Sequence, residues 1–310
     1  MDRKKDKVKA PWPGDRCILC LRQTQLTEEH IIPKSLGGRL TCVLLCDKCN
    51  STLGARWEAA ARSDPSIRIA VENLAYRFPA LATKLRANQT YMAHTKAGTV
   101  RGFMRRSGFR AFSKKENDGS LSQPTDEARR TVETILRKSG YGPAPLQEAL
   151  RLFDDAPDDR RIQIAPGLEM GKWSVKEIQP DLSKPLMDPV VPLKMAYEFL
   201  TCHLGTAVYD EAPQIEEVRQ VLRGRGEPDL CCRVDRLRAD AYEPLHGLCF
   251  EGNNPHATVQ ICLFGWLRYE VHFLRLAVVA PRHIYTHDLE HNVEYLRMAG
   301  KNGGAQERTP

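Results

Sequence analysis

Four cysteines near the start of the chain stand at spacings that suit a metal site. They form two Cys-x-x-Cys pairs, Cys17 with Cys20 and Cys46 with Cys49. In a reducing compartment such pairs are more often metal ligands than disulfides, and four thiolates favour a tetrahedral zinc ion. The spacing therefore predicts a structural zinc site. The insert between the two pairs is long enough to carry a second site.

Side chains within and directly after this insert could cleave a phosphodiester. Glu29 and His30 stand together in the insert, and Asn50 follows the last cysteine. Phosphodiester hydrolysis needs an activated water molecule and a positive charge at the leaving oxygen. A neutral histidine can take a proton from water near pH 7, while carboxylate and amide oxygens suit Mg²⁺ or Mn²⁺. The three residues together supply the parts of a metal-dependent nuclease.

The same segment resembles the HNH endonucleases of the ββα-metal class, in the variant built around a four-cysteine zinc site. The resemblance rests on the two cysteine pairs, on the run from Glu29 to Gly38, and on Asn50. It implies that His30 is the general base and that Glu29 and Asn50 bind a catalytic Mg²⁺ or Mn²⁺ ion. It also implies that the cysteines bind structural zinc. The implied reaction is hydrolysis of DNA that leaves 5′-phosphate and 3′-hydroxyl ends.

Two positions near the motif have more than one interpretation. Many HNH enzymes carry a last metal-binding histidine further along the helix, where this chain has Trp57 and Glu58. Glu58 is either a replacement carboxylate ligand or an ordinary exposed glutamate of a helix. Lys34 is either a phosphate contact or an ordinary surface lysine.

The elements that must position these side chains are short. Branched and apolar residues between Thr27 and Leu45 are interrupted by Pro33 and Gly37, which predicts two strands joined by a wide loop. Helix N-cap chemistry follows at Asn50, so a short helix is expected over residues 53–62. The local order predicts a small zinc-bound ββα-metal nuclease domain.

The length of 310 residues predicts more than one domain. Alternating apolar residues over 258–274 predict an antiparallel hairpin near the C-terminus, so the fold class is α+β. Control of the nuclease is one role for the C-terminal domain. The expected segments are a basic disordered leader (1–15), the HNH nuclease domain (16–64), a helix and strand pair with a basic segment (65–112), a linker (113–124), an α+β C-terminal domain (125–299) and a disordered tail (300–310).

The net charge of +7 suits a polyanionic partner such as DNA. Residues 101–115 contain six basic side chains, three phenylalanines and no acid. Such a segment either follows a phosphate backbone or forms a solvated basic strand, and both interpretations stay open. The candidate nucleic-acid contacts in it are Arg101, Arg105, Arg106 and Arg110.

The composition, with 42% hydrophobic and 27% charged residues, is typical of a globular protein. Without an apolar run of membrane-spanning length or a signal peptide, the sequence predicts a cytoplasmic protein with no membrane partner. Antiphage defence is one setting compatible with such a nuclease, and the oligomeric state is not determined. The alternative function is a non-catalytic four-cysteine zinc module that binds nucleic acid or a protein.

Overall fold

The computed structural model describes the chain in seventeen stretches, and the structural statements below concern these residues. The stretches are 7–58, 61–86, 89–95, 98–105, 108–111, 114–115, 121–157, 161–165, 168–173, 177–180, 182, 186–209, 213–239, 241–251, 256–278, 282–299 and 305–308. They fall into two compact units, one made of Met1–Leu85 with Lys184–Pro310 and the other of Arg86–Ser183. The predicted α+β class is confirmed. No described helix combines the length and the apolar character needed to cross a membrane.

The N-terminal part of the first unit has the predicted order of strand, loop, strand and helix. Its elements are β1 (Leu26–His30), β2 (Thr41–Cys46), α1 (Asp47–Leu53), a π-helical turn (Gly54–Glu58), α2 (Pro65–Ala75) and α3 (Pro79–Leu85). β1 and β2 pair antiparallel, with Glu29 opposite Cys42 and His30 opposite Thr41. The first helix begins at Asp47 and not at residue 53, because the second cysteine pair itself forms its first turn.

The loop between the two strands requires glycine at two positions. Gly37 has a φ of 90°, a conformation that L side chains rarely adopt. At Gly38 a Cβ atom would lie only 1.9 Å from the carbonyl oxygen of Ile32. Buried His246 supports this loop from the C-terminal sheet, since its Nε2 donates to the carbonyl of Leu36 at 2.8 Å. The two adjacent glycines thus allow a tight loop between β1 and β2.

The predicted disordered leader does not hold for the described residues 7–15. Val8 and Ala10 are buried, and the backbone nitrogen of Ala10 donates to the carbonyl of Thr41 at 2.8 Å. Residues 1–6 lie outside the described residues. Alternation of lysines with Val8 and Ala10 gives this segment one apolar face, which packs in the core beside β2.

The second unit contains two four-stranded sheets and two helices. Its elements are β3 (Thr90–Thr95), β4 (Gly98–Arg105), β5 (Gly108–Ala111), β6 (Lys114–Lys115), β7 (Leu121–Pro124), α4 (Thr125–Lys138), α5 (Pro143–Asp155), β8 (Arg161–Ala165), β9 (Leu168–Trp173) and β10 (Glu177–Pro180). The sheet orders are β10-β3-β4-β5 and β6-β7-β9-β8. The predicted linker over 113–124 is not borne out where it is described, because residues 114–115 and 121–124 form strands.

The C-terminal part of the first unit is two helices and a seven-stranded antiparallel sheet. Its elements are α6 (Val190–Leu204), α7 (Pro213–Leu222), β11 (Cys232–Arg238), β12 (Leu245–Glu251), β13 (Ala257–Leu263), β14 (Leu267–Phe273), β15 (His283–Asp288), β16 (Val293–Ala299) and β17 (Ala305–Arg308). The strand order is β11-β14-β13-β12-β15-β16-β17, and the predicted hairpin is β13 with β14. Within the predicted disordered tail, residues 305–308 form the edge strand β17.

One core joins the N-terminal segment of residues 16–64 to this sheet. α6 is buried along nearly its whole length, from Val190 to Cys202, and its apolar residues belong to the same cluster as Ile31 and Leu44. The compact units therefore differ from the predicted domains. Residues 16–64 share their core with residues beyond 184, whereas the part of the predicted C-terminal domain before residue 184 belongs to the second unit.

Candidate active site and zinc site

The four motif cysteines meet at one point. Their sulfur atoms all lie within 4.8 Å of one another, close enough to bind one metal ion together. Cys46 ends β2, Cys49 lies in the first turn of α1, and Cys17 and Cys20 belong to a preceding turn. A hydrogen bond from Cys49 lowers the pKa of Cys17 to about 4, which favours a thiolate. The donor set fits a tetrahedral structural zinc ion.

Helices from the C-terminal part brace the first cysteine turn. The backbone nitrogen of Ile18 donates to Leu44 of β2 at 3.1 Å. Its carbonyl accepts from the Tyr197 hydroxyl at 2.9 Å and from Nε of fully buried Arg219 at 3.1 Å. The guanidinium of Arg223 donates to the carbonyl of Leu19. α6 and α7 thus fix the backbone that presents Cys17 and Cys20.

His30 is the last residue of β1 and is half-buried. Burial, aided by the positive charges of Lys7 and Lys34, lowers its pKa below the ordinary 6.5. The imidazole is therefore mostly neutral at pH 7, the state in which it can accept a proton. Its position and protonation state agree with the general-base role that the family resemblance implies.

Exposed lysines lie near His30 or pair with Glu28, two residues before it. Lys34 is exposed at the start of the loop after β1, and Lys7 and Lys9 pair with Glu28 at 3.7 and 3.1 Å. The side chains of Lys7 and Lys9 keep 42% and 63% of their surface exposed, so both ammonium groups remain open to an anionic ligand. These positive charges suit the approach of a phosphate backbone to His30.

Glu29 points into the protein and pairs with a lysine that the sequence did not single out. Its side chain is 7% exposed, and Oε1 lies 2.5 Å from Nζ of Lys194 in α6. Lys194 is fully buried and also donates to the carbonyl of His30 at 3.0 Å. Burial raises the pKa of Glu29 even though the ammonium opposes the shift.

Two further glutamates reach the same ammonium. Glu58, in the π-helical turn, places Oε1 2.5 Å from Nζ of Lys194, and Glu198, one turn further along α6, places Oε2 at 3.0 Å. Burial raises the pKa of Glu198 well above its ordinary value. Burial alone would lower the pKa of Lys194, but attraction to Glu198, Glu29 and Glu58 raises it. The structure thus brings Glu29 and Glu58 together, around a lysine.

Asn50 links α1 to β1. Its side-chain nitrogen donates to the Thr27 hydroxyl at 3.1 Å and to the carbonyl of Glu28 at 3.2 Å. The Thr27 hydroxyl in turn donates to Leu45 of β2 at 3.0 Å. Asn50 therefore has a structural role at the motif, while its assignment as a metal ligand stays a prediction.

The ligands predicted for Mg²⁺ or Mn²⁺ have the oxygen atoms that such an ion prefers. The carboxylates among them, however, already pair with a lysine. Carboxylate and amide oxygens are hard ligands of the type such ions take. The carboxylates of Glu29 and Glu58 each have an oxygen 2.5 Å from the Lys194 ammonium, so a cationic group already fills the point on which they converge.

The basic residues predicted as nucleic-acid contacts lie in the second unit. Arg101 and Arg105 belong to β4 and Arg110 to β5, with Arg101 and Arg110 exposed. Arg106 lies outside the described residues. Their contact with nucleic acid stays a prediction.

Sequence reasoning missed Lys194, Glu198, Lys7 and Lys9. The first two look like an ordinary i, i+4 pair on an apolar helix, and only their burial marks them. Lys7 and Lys9 were assigned to a disordered leader, although their alternation with Val8 was a signal for an extended segment with one buried face.

Comparison with known proteins bears on one part of the chain. Residues 17–66 match the family model described as HNH endonuclease. No curated protein and no solved structure matches the chain significantly. The match confirms the resemblance seen in the motif, and it ends within α2, just beyond Glu58. The segment from residue 17 to residue 66 thus matches the HNH endonuclease family, and its apolar residues share the core of a longer chain.

Proposed function

We propose that this protein is a metal-dependent endonuclease that hydrolyses DNA phosphodiester bonds. The observation that carries the proposal is the position of His30 within the HNH segment: it ends β1, its pKa is lowered by burial, and the positive charges of Lys7 and Lys34 act on it. A nuclease domain implies a nucleic-acid substrate, and the choice of DNA rests on the family resemblance.

Each part of the site has a distinct task in this proposal. His30 takes the proton from the attacking water. Lys7, Lys9 and Lys34 attract the phosphate backbone. A zinc ion bound by the cysteines would hold β2 and α1 together and would take no part in the reaction.

The catalytic Mg²⁺ or Mn²⁺ ion would be held by Glu29, Glu58 and Asn50. When bound, such an ion supplies positive charge for the leaving 3′-oxygen, which gives the expected 5′-phosphate and 3′-hydroxyl ends. Residues outside the HNH segment, α6 above all, are proposed to regulate cutting because they contact the site directly.

Cleavage of supercoiled plasmid by the zinc-loaded protein with Mn²⁺ or Mg²⁺ tests this function. His30→Ala should lower the cleavage rate by about 10²- to 10⁴-fold, the usual contribution of a general base. His291→Ala is the matched control, because His291 is exposed and bonded to Asp288 outside the HNH segment. Cleavage by His30→Ala at the wild-type rate would remove the assignment. Ligation of the wild-type products without prior phosphorylation would establish the 5′-phosphate.

The pH dependence of the wild-type rate provides a second readout. The base must be deprotonated to act, so the single-turnover rate should fall as the pH drops through the pKa of His30. Because burial lowers that pKa, the half-maximal rate should lie below pH 6.5. A rate that stays constant down to pH 4 would contradict a histidine base.

The non-catalytic zinc module is the other outcome of the same experiment. It predicts that the purified wild-type protein binds DNA, or another partner, without cleaving plasmid in either metal. In that case His30→Ala would leave binding unchanged.

A further inference from the structure

The interior pocket around Lys194 contains three carboxylates and one ammonium group. The side chain of Lys194 has no solvent exposure, and those of Glu29, Glu58 and Glu198 are 7%, 17% and 1% exposed. The carbonyl oxygen of His30 is the fourth oxygen on the ammonium. The pocket thus collects four oxygens around one buried cation.

More oxygen atoms surround the ammonium group than it has hydrogen-bond donors. An ammonium group has three N–H donors, whereas four oxygens lie within 3.0 Å of Nζ. Oε1 of Glu58 and Oε2 of Glu198 lie close to Nζ without meeting hydrogen-bond geometry, and Oε1 of Glu198 is buried with no hydrogen-bond partner in the described structure. Three ionised carboxylates would also carry more negative charge than one lysine neutralises. A divalent cation with carboxylate and carbonyl ligands matches the set better in charge and in ligand number.

The lysine of this pocket lies on one face of α6. Lys194, Glu198 and Cys202 follow one another at i, i+4 and i+8, so they share one face of the helix. This face meets Glu29 and its β-ladder neighbour Cys42, whose Sγ lies 3.5 Å from Sγ of Cys202. Because the rest of α6 is packed in the core, the ammonium can leave the pocket only if its side chain or the helix moves.

We infer that Lys194 is the resting occupant of a divalent-cation pocket formed by Glu29, Glu58 and Glu198, and that lysine and metal exclude each other. Binding of Mg²⁺ or Mn²⁺ by these carboxylates requires the ammonium to leave, so the position of α6 sets the metal affinity of the HNH segment. The inference rests on the proposed function for what the metal does. The pocket itself can be tested without any cleavage reaction.

Mn²⁺ binding to the zinc-loaded full chain, followed by electron paramagnetic resonance of the free ion, is the test. Lys194→Gln removes the resident cation and keeps the carboxylates. We expect it to bind one Mn²⁺ at least about tenfold more tightly than the wild type, and its melting temperature to rise more with Mn²⁺. The matched control is Lys172→Gln, which removes another buried lysine, one bonded to backbone carbonyls of the second unit. It should lose stability and gain no Mn²⁺ site.

A second variant covers the case in which Lys194→Gln does not fold. The double variant Lys194→Gln with Glu198→Gln removes one charge of each sign, so less uncompensated charge stays buried. It should bind Mn²⁺ more tightly than the wild type through Glu29 and Glu58. Addition of Glu29→Gln to either variant should abolish the gained site.

Two results would overturn the inference: no gain of Mn²⁺ affinity in either lysine variant, or a gained site that survives Glu29→Gln. Failure of the proposed function looks different. A protein that never cleaves DNA but gains the Mn²⁺ site on loss of Lys194 would refute the nuclease and keep the pocket. A protein that cleaves DNA without any such gain would support the nuclease and refute the pocket.

Discussion

Replacement of Lys194 by methionine should strongly destabilise the first unit. Methionine has a similar length and no charge, so it leaves Glu29, Glu58 and Glu198 without their common partner. Removal of one partner of a buried ion pair costs about 3–5 kcal/mol. Because three carboxylates lose the same cation, we expect a loss of at least about 3 kcal/mol at pH 7.

The loss should depend on pH with a definite sign. Burial raises the pKa of Glu29 and of Glu198 in the folded protein. A carboxylate of this kind stabilises the fold fully below its unfolded pKa of about 4.5, and that contribution is lost as the pH rises through the folded pKa. Protonation also relieves the repulsion left by the missing ammonium. Lys194→Met should therefore be less destabilised at pH 5 than at pH 8.

Glu198→Gln separates the effect of the Glu198 charge from the effect of the Lys194 charge. The amide has the shape of the protonated acid, so it removes the ionisation that the raised pKa makes unfavourable, while Lys194 keeps Glu29, Glu58 and the His30 carbonyl. We expect a change within about 1 kcal/mol at pH 7, the size of a single neutral hydrogen bond. Stability between pH 5 and pH 8 should also vary less than in the wild type.

Amide hydrogen exchange over residues 190–204 measures these effects locally. A loss of 3 kcal/mol should speed exchange in α6 by about 100-fold or more, since 1.36 kcal/mol corresponds to a factor of ten. Peptides from α4 and α5 of the second unit are the internal reference. Exchange in Lys194→Met within about twofold of wild type would refute the energetic role of Lys194. Equal damage from Glu198→Gln would show that the lysine needs an ionised Glu198.

The remaining predictions concern the loop and the zinc site. Gly38→Ala should lower stability by about 1–3 kcal/mol, because its Cβ would meet the Ile32 carbonyl at 1.9 Å, whereas Gly54→Ala should be neutral or stabilising because nothing lies within 4 Å of the added atom. Equal melting temperatures for the two variants would contradict this. Cys49→Ser should lose bound zinc in elemental analysis and unfold at a lower temperature, since a structural zinc ion contributes folding energy. Cys249→Ser, outside the cluster, should keep its zinc, and zinc retained by Cys49→Ser would contradict a four-cysteine site.

Local patterns in the sequence predicted the parts of the fold that depend on near neighbours. The two strands β1 and β2 were recognisable from branched and apolar residues on both sides of a Pro- and Gly-containing loop, and the β13–β14 hairpin from apolar alternation on both sides of Phe264. These signals work because a helix face or a strand face is set by residues only a few positions apart. Domain boundaries had no such signal, because the core that joins residues 17–66 to α6 is formed by contacts remote in sequence.

The residues of the site also fall into two groups, those that sequence spacing indicates and those that only tertiary contacts bring together. The sequence by itself indicated the four-cysteine cluster and the HNH motif, because both depend on spacings within residues 17–66, the segment that the HNH endonuclease family model matches. Only the tertiary structure showed that Glu29 and Glu58 share a buried cation. Lys194 lies 165 positions from Glu29, and no local pattern relates the two. Their meeting depends on how α6 packs against β1, where burial makes the charge of one lysine decisive for three carboxylates.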